Sequence, residues 1–150
     1  MMFKFVRPIV SGVALAAAFS VAPASAEMLK YAAELTAASE VPPNDSKGTG
    51  KIEATYDTTT KKLTWSGEYA DLTGPEIAAH FHGPVSYLGL TAEENAPIQV
   101  GTPGDLTSPF HGIAQISADQ AKDLKDGRWY FNVHSKKFPA GEIRGPVIRK

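Results

Sequence analysis

The sequence predicts an all-β protein: a Greek-key β-sandwich with one short helix before the penultimate strand. Three observations predict it. Short runs of alternating apolar and polar residues recur, as where Leu63, Trp65, Gly67 and Tyr69 interleave with Thr64, Ser66 and Glu68. Clusters of Pro, Gly, Asn and Asp separate these runs at the spacing of a sandwich or barrel. Helix signals concentrate at one place, where Ser117-Ala118-Asp119-Gln120 fits the S-x-x-Q capping box.

The first strand is expected over 29–37, ended by Glu40-Val41-Pro42-Pro43-Asn44-Asp45, whose prolines cannot join a central strand. Gly48-Thr49-Gly50 leads into 51–56, where Ile52, Ala54 and Tyr56 mark the buried face. A turn at 57–61 makes 63–69 its hairpin partner. Further strands are expected over 77–82, 97–100 and 110–116, with a helical turn at 91–95 and a Pro/Gly loop at 101–109. The capped helix should end near Asp126, with Gly127 just beyond it. In 128–135, Trp129, Phe131 and Val133 oppose Tyr130, Asn132 and His134. The last strand covers 142–148, where Glu142 and Arg144 read as a plain ladder of outward charges. Trp65 and Trp129 both fall on apolar faces and should be buried.

Residues 1–26 read as a cleavable signal peptide. Lys4 and Arg7 precede an uncharged apolar run from Ile9 to Val21, and Ala24-Ser25-Ala26 supplies the small residues of a cut before Glu27. The run is short for a bilayer, which needs roughly 20 apolar residues. Of the 150 residues, 27–150 would remain as one domain, in the periplasm or secreted, with no membrane span left after cleavage. Losing Lys4 and Arg7 takes the 15 basic residues to 13 against 16 acidic ones, a net charge of −3. That balance excludes a nucleic acid or acidic membrane surface as the expected partner. With 0 Cys, disulfides, thiolate nucleophiles and Cys-ligated metals are excluded as well.

Histidine supplies the sharpest motif. In His80-Phe81-His82, residues i and i+2 of a strand point the same way, so two imidazoles stand together while Ala79 and Phe81 face the core. Paired imidazoles suit copper or zinc. His134 lies on the polar side of its strand, and His111 lies at a strand start, so three or four histidines converge if these strands are neighbours. Free imidazole titrates near ~6.5, so metal affinity is expected to fall as the pH drops through that region. An exposed strand face also carries His without any role. No Ser-His-Asp order, G-x-S-x-G or helix-spaced carboxylate pair stands out as a catalytic motif.

The chain resembles the CHRD (chordin-type) domain family, whose members include solitary exported bacterial proteins. The resemblance runs from about Tyr31 to Val147. Its marks are Glu40-Val41-Pro42-Pro43, Gly48-Thr49-Gly50, Ala79-His80-Phe81-His82-Gly83-Pro84, Leu124 through His134 (LKDGRWYFNVH) and Phe138 through Gly145 (FPAGEIRG). It implies a β-sandwich and an extracytoplasmic location, without a settled activity. His80, His82 and His134 fall inside these motifs and His111 outside them. More distantly, the chain is similar to copper–zinc superoxide dismutase, a Greek-key sandwich whose copper ligands include an H-x-H strand and a later single His. It departs from that family in having no Cys, no long zinc loop and a different spacing to the last His. The likeness points to copper and not to dismutase activity.

Three functions follow in order. The first is an exported module binding copper, or zinc as the alternative, through His80, His82 and His134, with His111 as a fourth ligand. The second is an adhesion module whose loops 84–96 and 101–109 bind an extracytoplasmic protein partner without metal. The third is a copper-dependent, superoxide dismutase-like redox enzyme using the same site with an open position.

Overall fold

The computed structural model describes residues 26–86 and 94–150. The signal-peptide reading and most of the helical turn at 91–95 lie outside the described residues. The strands are β1 (Met28–Thr36), β2 (Thr49–Asp57), β3 (Lys62–Ala70), β4 (Glu76–His82), β5 (Ile98–Gly101), β6 (Phe110–Gln115), β7 (Tyr130–Ser135), β8 (Ile143–Pro146) and β9 (Ile148–Arg149). The helix α1 (Ala118–Lys125) joins β6 to β7, and a 3₁₀ turn (Ala37–Ser39) follows β1. Among the described residues, no helix is long and apolar enough to cross a membrane.

All the strands join one nearly closed antiparallel sheet in the order β5-β4-β7-β8-β1-β2-β3-β6. The β4–β7 and β3–β6 neighbours are the crossovers that make the topology a Greek key. The β5-β4-β7-β8 half of this order forms one layer and the β1-β2-β3-β6 half the other, and the final segment links the two. As β8 it pairs with β7 and meets β1 at Thr36↔Arg144; past Val147, as β9, it pairs with β1 at Tyr31 and Ala32.

Local chemistry accounts for the elements. The β2–β3 hairpin closes where Asp57 Oδ1 accepts the Thr59 and Thr60 N–H groups at 2.8 and 3.1 Å, with Lys61 at φ 57° completing the turn. The α1 capping box forms as expected: Gln120 N–H donates to Ser117 Oγ at 3.1 Å, and Ser117 N–H donates to Gln120 Oε1 at 2.9 Å. Gly127, at φ 70°, stands just past the helix. Ala121 and Leu124 bury the inner side of α1.

The core lies between the layers. Leu63, Ile52, Phe81, Trp129 and Phe131 are each fully buried, and Trp65 is 4% exposed. Trp65 of one layer meets Phe81 of the other edge-to-face at 5.2 Å, and Phe81 meets Phe131 likewise at 4.7 Å. Such offset contacts add to the area term for aromatic burial.

Glu142 and Arg144 differ from expectation. They are 0% and 2% exposed, not an outward ladder. The segment after β1 lies across this side of β7 and β8. Ser39 O accepts from Arg144 Nε at 2.5 Å, and Asn44 Nδ2 donates to the Glu142 carbonyl at 3.0 Å. Alternation identified the face but could not reveal this covering segment.

Candidate metal centre

The polar side of the β4–β7–β8 layer carries the cluster. The register places His80 opposite Asn132, His82 opposite Tyr130 and Ala78 opposite His134. Because β4 and β7 are neighbours, the H-x-H pair and the distant His134 meet. One ring nitrogen from each of His80, His82 and His134 lies within 4.8 Å of the others, close enough that the three could hold a metal ion. The structure does not bring His111 to them. It lies exposed on β6, opposite Ser66, at the other end of the sheet order.

Each ring is held differently. His82 Nδ1 donates to the Ala96 carbonyl at 2.8 Å, which leaves Nε2 as the bare nitrogen. That Nε2 is buried and has no hydrogen-bond partner. His134 Nδ1 donates to the Pro139 carbonyl at 3.0 Å, which leaves its Nε2 an acceptor. His80 Nδ1 stands 3.2 Å from His134 Nε2. Two ring nitrogens so close need a proton or a cation between them. A backbone carbonyl on the far ring nitrogen is the usual way a ligating His is oriented.

Electrostatics keep the rings neutral. Burial, then the charges His134 and His82 would carry, push His80 down to about 4. Burial also lowers His82 and His134, against the opposing effect of their carbonyl hydrogen bonds. Protonation of the cluster is therefore displaced below free imidazole's range.

A buried polar network lies on the same side of the layer. Asn132 Nδ2 donates to Glu40 Oε1 at 2.9 Å, and Glu40 Oε2 lies 3.9 Å from Arg144 Nε. Burial raises the Glu40 carboxyl to about 7, against the lowering effect of Arg144 and of the hydrogen bond from Asn132. Gly141, at φ 139°, lets its loop approach, since a Cβ there would come within 2.3 Å of Asn132 Nδ2 and 2.7 Å of Glu40 Oε1. Glu142 Oε1 accepts from Ser46 Oγ at 2.5 Å and Thr73 N–H at 2.6 Å. Desolvation pushes the Glu142 carboxyl up, but hydrogen bonds from Ser135, Ser46 and Thr73 hold it below the usual value.

Sequence reading missed Ala96, Pro139 and Tyr130 as supports of the cluster. Tyr130 and Pro139 lie within the quoted motifs, a usable signal. Ala96 acts only through its backbone, which no side-chain pattern discloses.

Fold and cluster together define a small β-sandwich with three histidines gathered on the polar side of one layer. The chain belongs to the CHRD domain family, whose profile matches residues 31–147. No curated protein and no solved structure matches it.

Proposed function

We propose that this protein is an exported metal-binding domain, periplasmic or secreted, that holds one copper ion, or zinc in its place, on His80, His82 and His134. The observation that carries the reading is His82 Nε2. It is buried without a hydrogen-bond partner, on a residue that forms a three-nitrogen cluster with His80 and His134. A bare buried acceptor costs roughly 1–3 kcal/mol, a cost that a bound cation would remove. Neutral imidazole is the form a metal requires, and burial favours that form at all three rings. Copper is favoured because three imidazoles with an open side suit it, whereas structural zinc more often has a closed tetrahedral shell. Export rests on the charged start, apolar run and A-x-A pattern of residues 1–26.

Calorimetric titration with Cu²⁺ and Zn²⁺ tests the site. Wild type should bind one ion, and His80→Ala, His82→Ala or His134→Ala should each remove most of the binding. His111→Ala should leave it intact. If the triple variant of His80, His82 and His134 binds as wild type does, the site reading fails and a metal-free interaction module replaces it. Intact mass of the extracytoplasmic protein tests export, with Glu27 as the expected first residue.

A further inference from the structure

Resting on the metal-binding reading, we propose that Tyr130 is a positioning residue for the centre, fixing His82 in the ring plane and tautomer that aim Nε2 at the ion. Tyr130 is 4% exposed and is the cross-strand partner of His82. The two rings stack within 2° of parallel, with centroids 4.9 Å apart. Ala96 ties them a second time. Its carbonyl accepts from His82 Nδ1 at 2.8 Å, and its N–H donates to the Tyr130 hydroxyl at 3.2 Å. A closed circuit thus runs from imidazole to backbone to phenol and returns through the stacked faces.

Tyr130 is itself held. The Arg144 guanidinium lies 4.6 Å from its ring centroid. Because β7 runs between β4 and β8, His82 and Arg144 approach from opposite flanking strands. Stacking resists tilting of the imidazole. The Ala96 carbonyl keeps the proton on Nδ1, and the Tyr130 hydroxyl, through the N–H on the other side of the Ala96 Cα, helps hold that residue's backbone in place. His134 has a separate anchor in the Pro139 carbonyl. The influence of Tyr130 should therefore pass through His82 and not through His134.

That difference makes the role testable in the full protein. Cu²⁺ affinity would be measured for wild type, Tyr130→Phe and Tyr130→Leu, each also combined with His82→Ala and with His134→Ala. Imidazole ¹⁵N spectra of the metal-free protein would report the tautomers. Outer-shell partners of a metal ligand change affinity ~10–100-fold, so Tyr130→Leu should weaken Cu²⁺ binding by about tenfold or more. Measured against the weak residual affinity of each single variant at high Cu²⁺ concentration, the loss should persist beside His134→Ala and vanish beside His82→Ala. Tyr130→Phe keeps the stack and loses only the hydroxyl, so it should lose less. In the metal-free protein, Tyr130→Leu should mix the His82 tautomers and leave His134 unchanged. The proposal is overturned if Tyr130→Leu binds as wild type does, if its loss is equal beside His82→Ala, or if the His82 tautomer does not move. If wild type binds neither Cu²⁺ nor Zn²⁺, the metal reading fails on its own and the tautomer spectra still decide whether Tyr130 positions His82. Should the Leu variant not fold, the Phe variant and its spectra carry the same comparison.

Discussion

On β2 and β3 the polar members of the alternating pattern, Lys51, Glu53, Ser66 and Glu68, lie open to solvent. On β7 and β8 their counterparts, Asn132 and Arg144, are covered, as is Tyr130. Both layers turn an equally apolar side to the shared core, through Trp65 in one and Trp129 in the other. The difference lies outside the sheet. Over β7 and β8 run the segment after β1, the chain near Asn95 and Ala96, and the turn through Pro139, all supplying hydrogen-bond partners. A polar strand face becomes a site when loops cover it, because covering desolvates its groups and fixes their orientation. Left uncovered, the same pattern is an ordinary charged surface, where Lys51 and Glu68 form a solvent-exposed pair at 2.9 Å.

Three experiments would break or sharpen that contrast. The largest effect should show the layers to be alike inside. Trp65→Ala and Trp129→Ala should each cost ~3–5 kcal/mol in urea unfolding, as for other buried aromatic truncations. A near-neutral result for either would remove its layer from the common core.

The outer faces should then separate sharply. Arg144→Ala removes its hydrogen bonds to Ser39 and Asn95 and lets Glu40 take up a proton, so the covered face should lose ~1–3 kcal/mol. Lys51→Ala, on the open face, should leave the denaturant midpoint unchanged. Equal shifts would mean that covering contributes nothing to the distinction.

The smallest effect is the pH dependence that the covered face's histidines and Glu40 contribute. Lowered histidine pKa values mean that the unfolded chain takes up protons near ~6.5 while the folded rings do not. Stability present above that range should thus be lost as the pH falls toward the His80 value of about 4. Glu40 acts with the opposite sign. Its raised carboxyl contributes stability that is present below the ordinary glutamate range and lost as the pH rises through about 7. Unfolding measured from pH 4 to 8 should show both limbs, and Glu40→Gln should abolish the neutral-side loss alone. Cu²⁺ affinity should hold as the pH passes below the free-imidazole value. A steep loss at ~6.5 would show that the rings are not desolvated as the structure has them.

Much of the fold was legible from residue order. The α1 start follows from Ser117 and Gln120, the β2–β3 hairpin from Asp57 and the alternation around it, and the inward tryptophans from period two. These are local properties: capping, turn chemistry and strand period act over a few residues. The H-x-H pair was legible for the same reason, since i and i+2 share a face in any strand. Glu142 and Arg144 were misread because their burial depends on Ser39, Asn44 and Ser46, about a hundred positions earlier in the chain.

By itself, then, the sequence determined most of the strands, the helix, the inner faces and the resemblance that the family match over residues 31–147 bears out, while it ran β8 and β9 together as one strand over 142–148. It also nominated His80, His82, His111 and His134 together as metal ligands. The family motifs already set His111 apart; the tertiary structure decided which of the four meet, because only strand order decides which faces become neighbours. Pairing β4 with β7 brings His134 within 3.2 Å of His80, and placing β6 beside β3 leaves His111 at the other end of the sheet. It also decided which polar face would be covered, and so where neutral imidazoles could be held in fixed orientation.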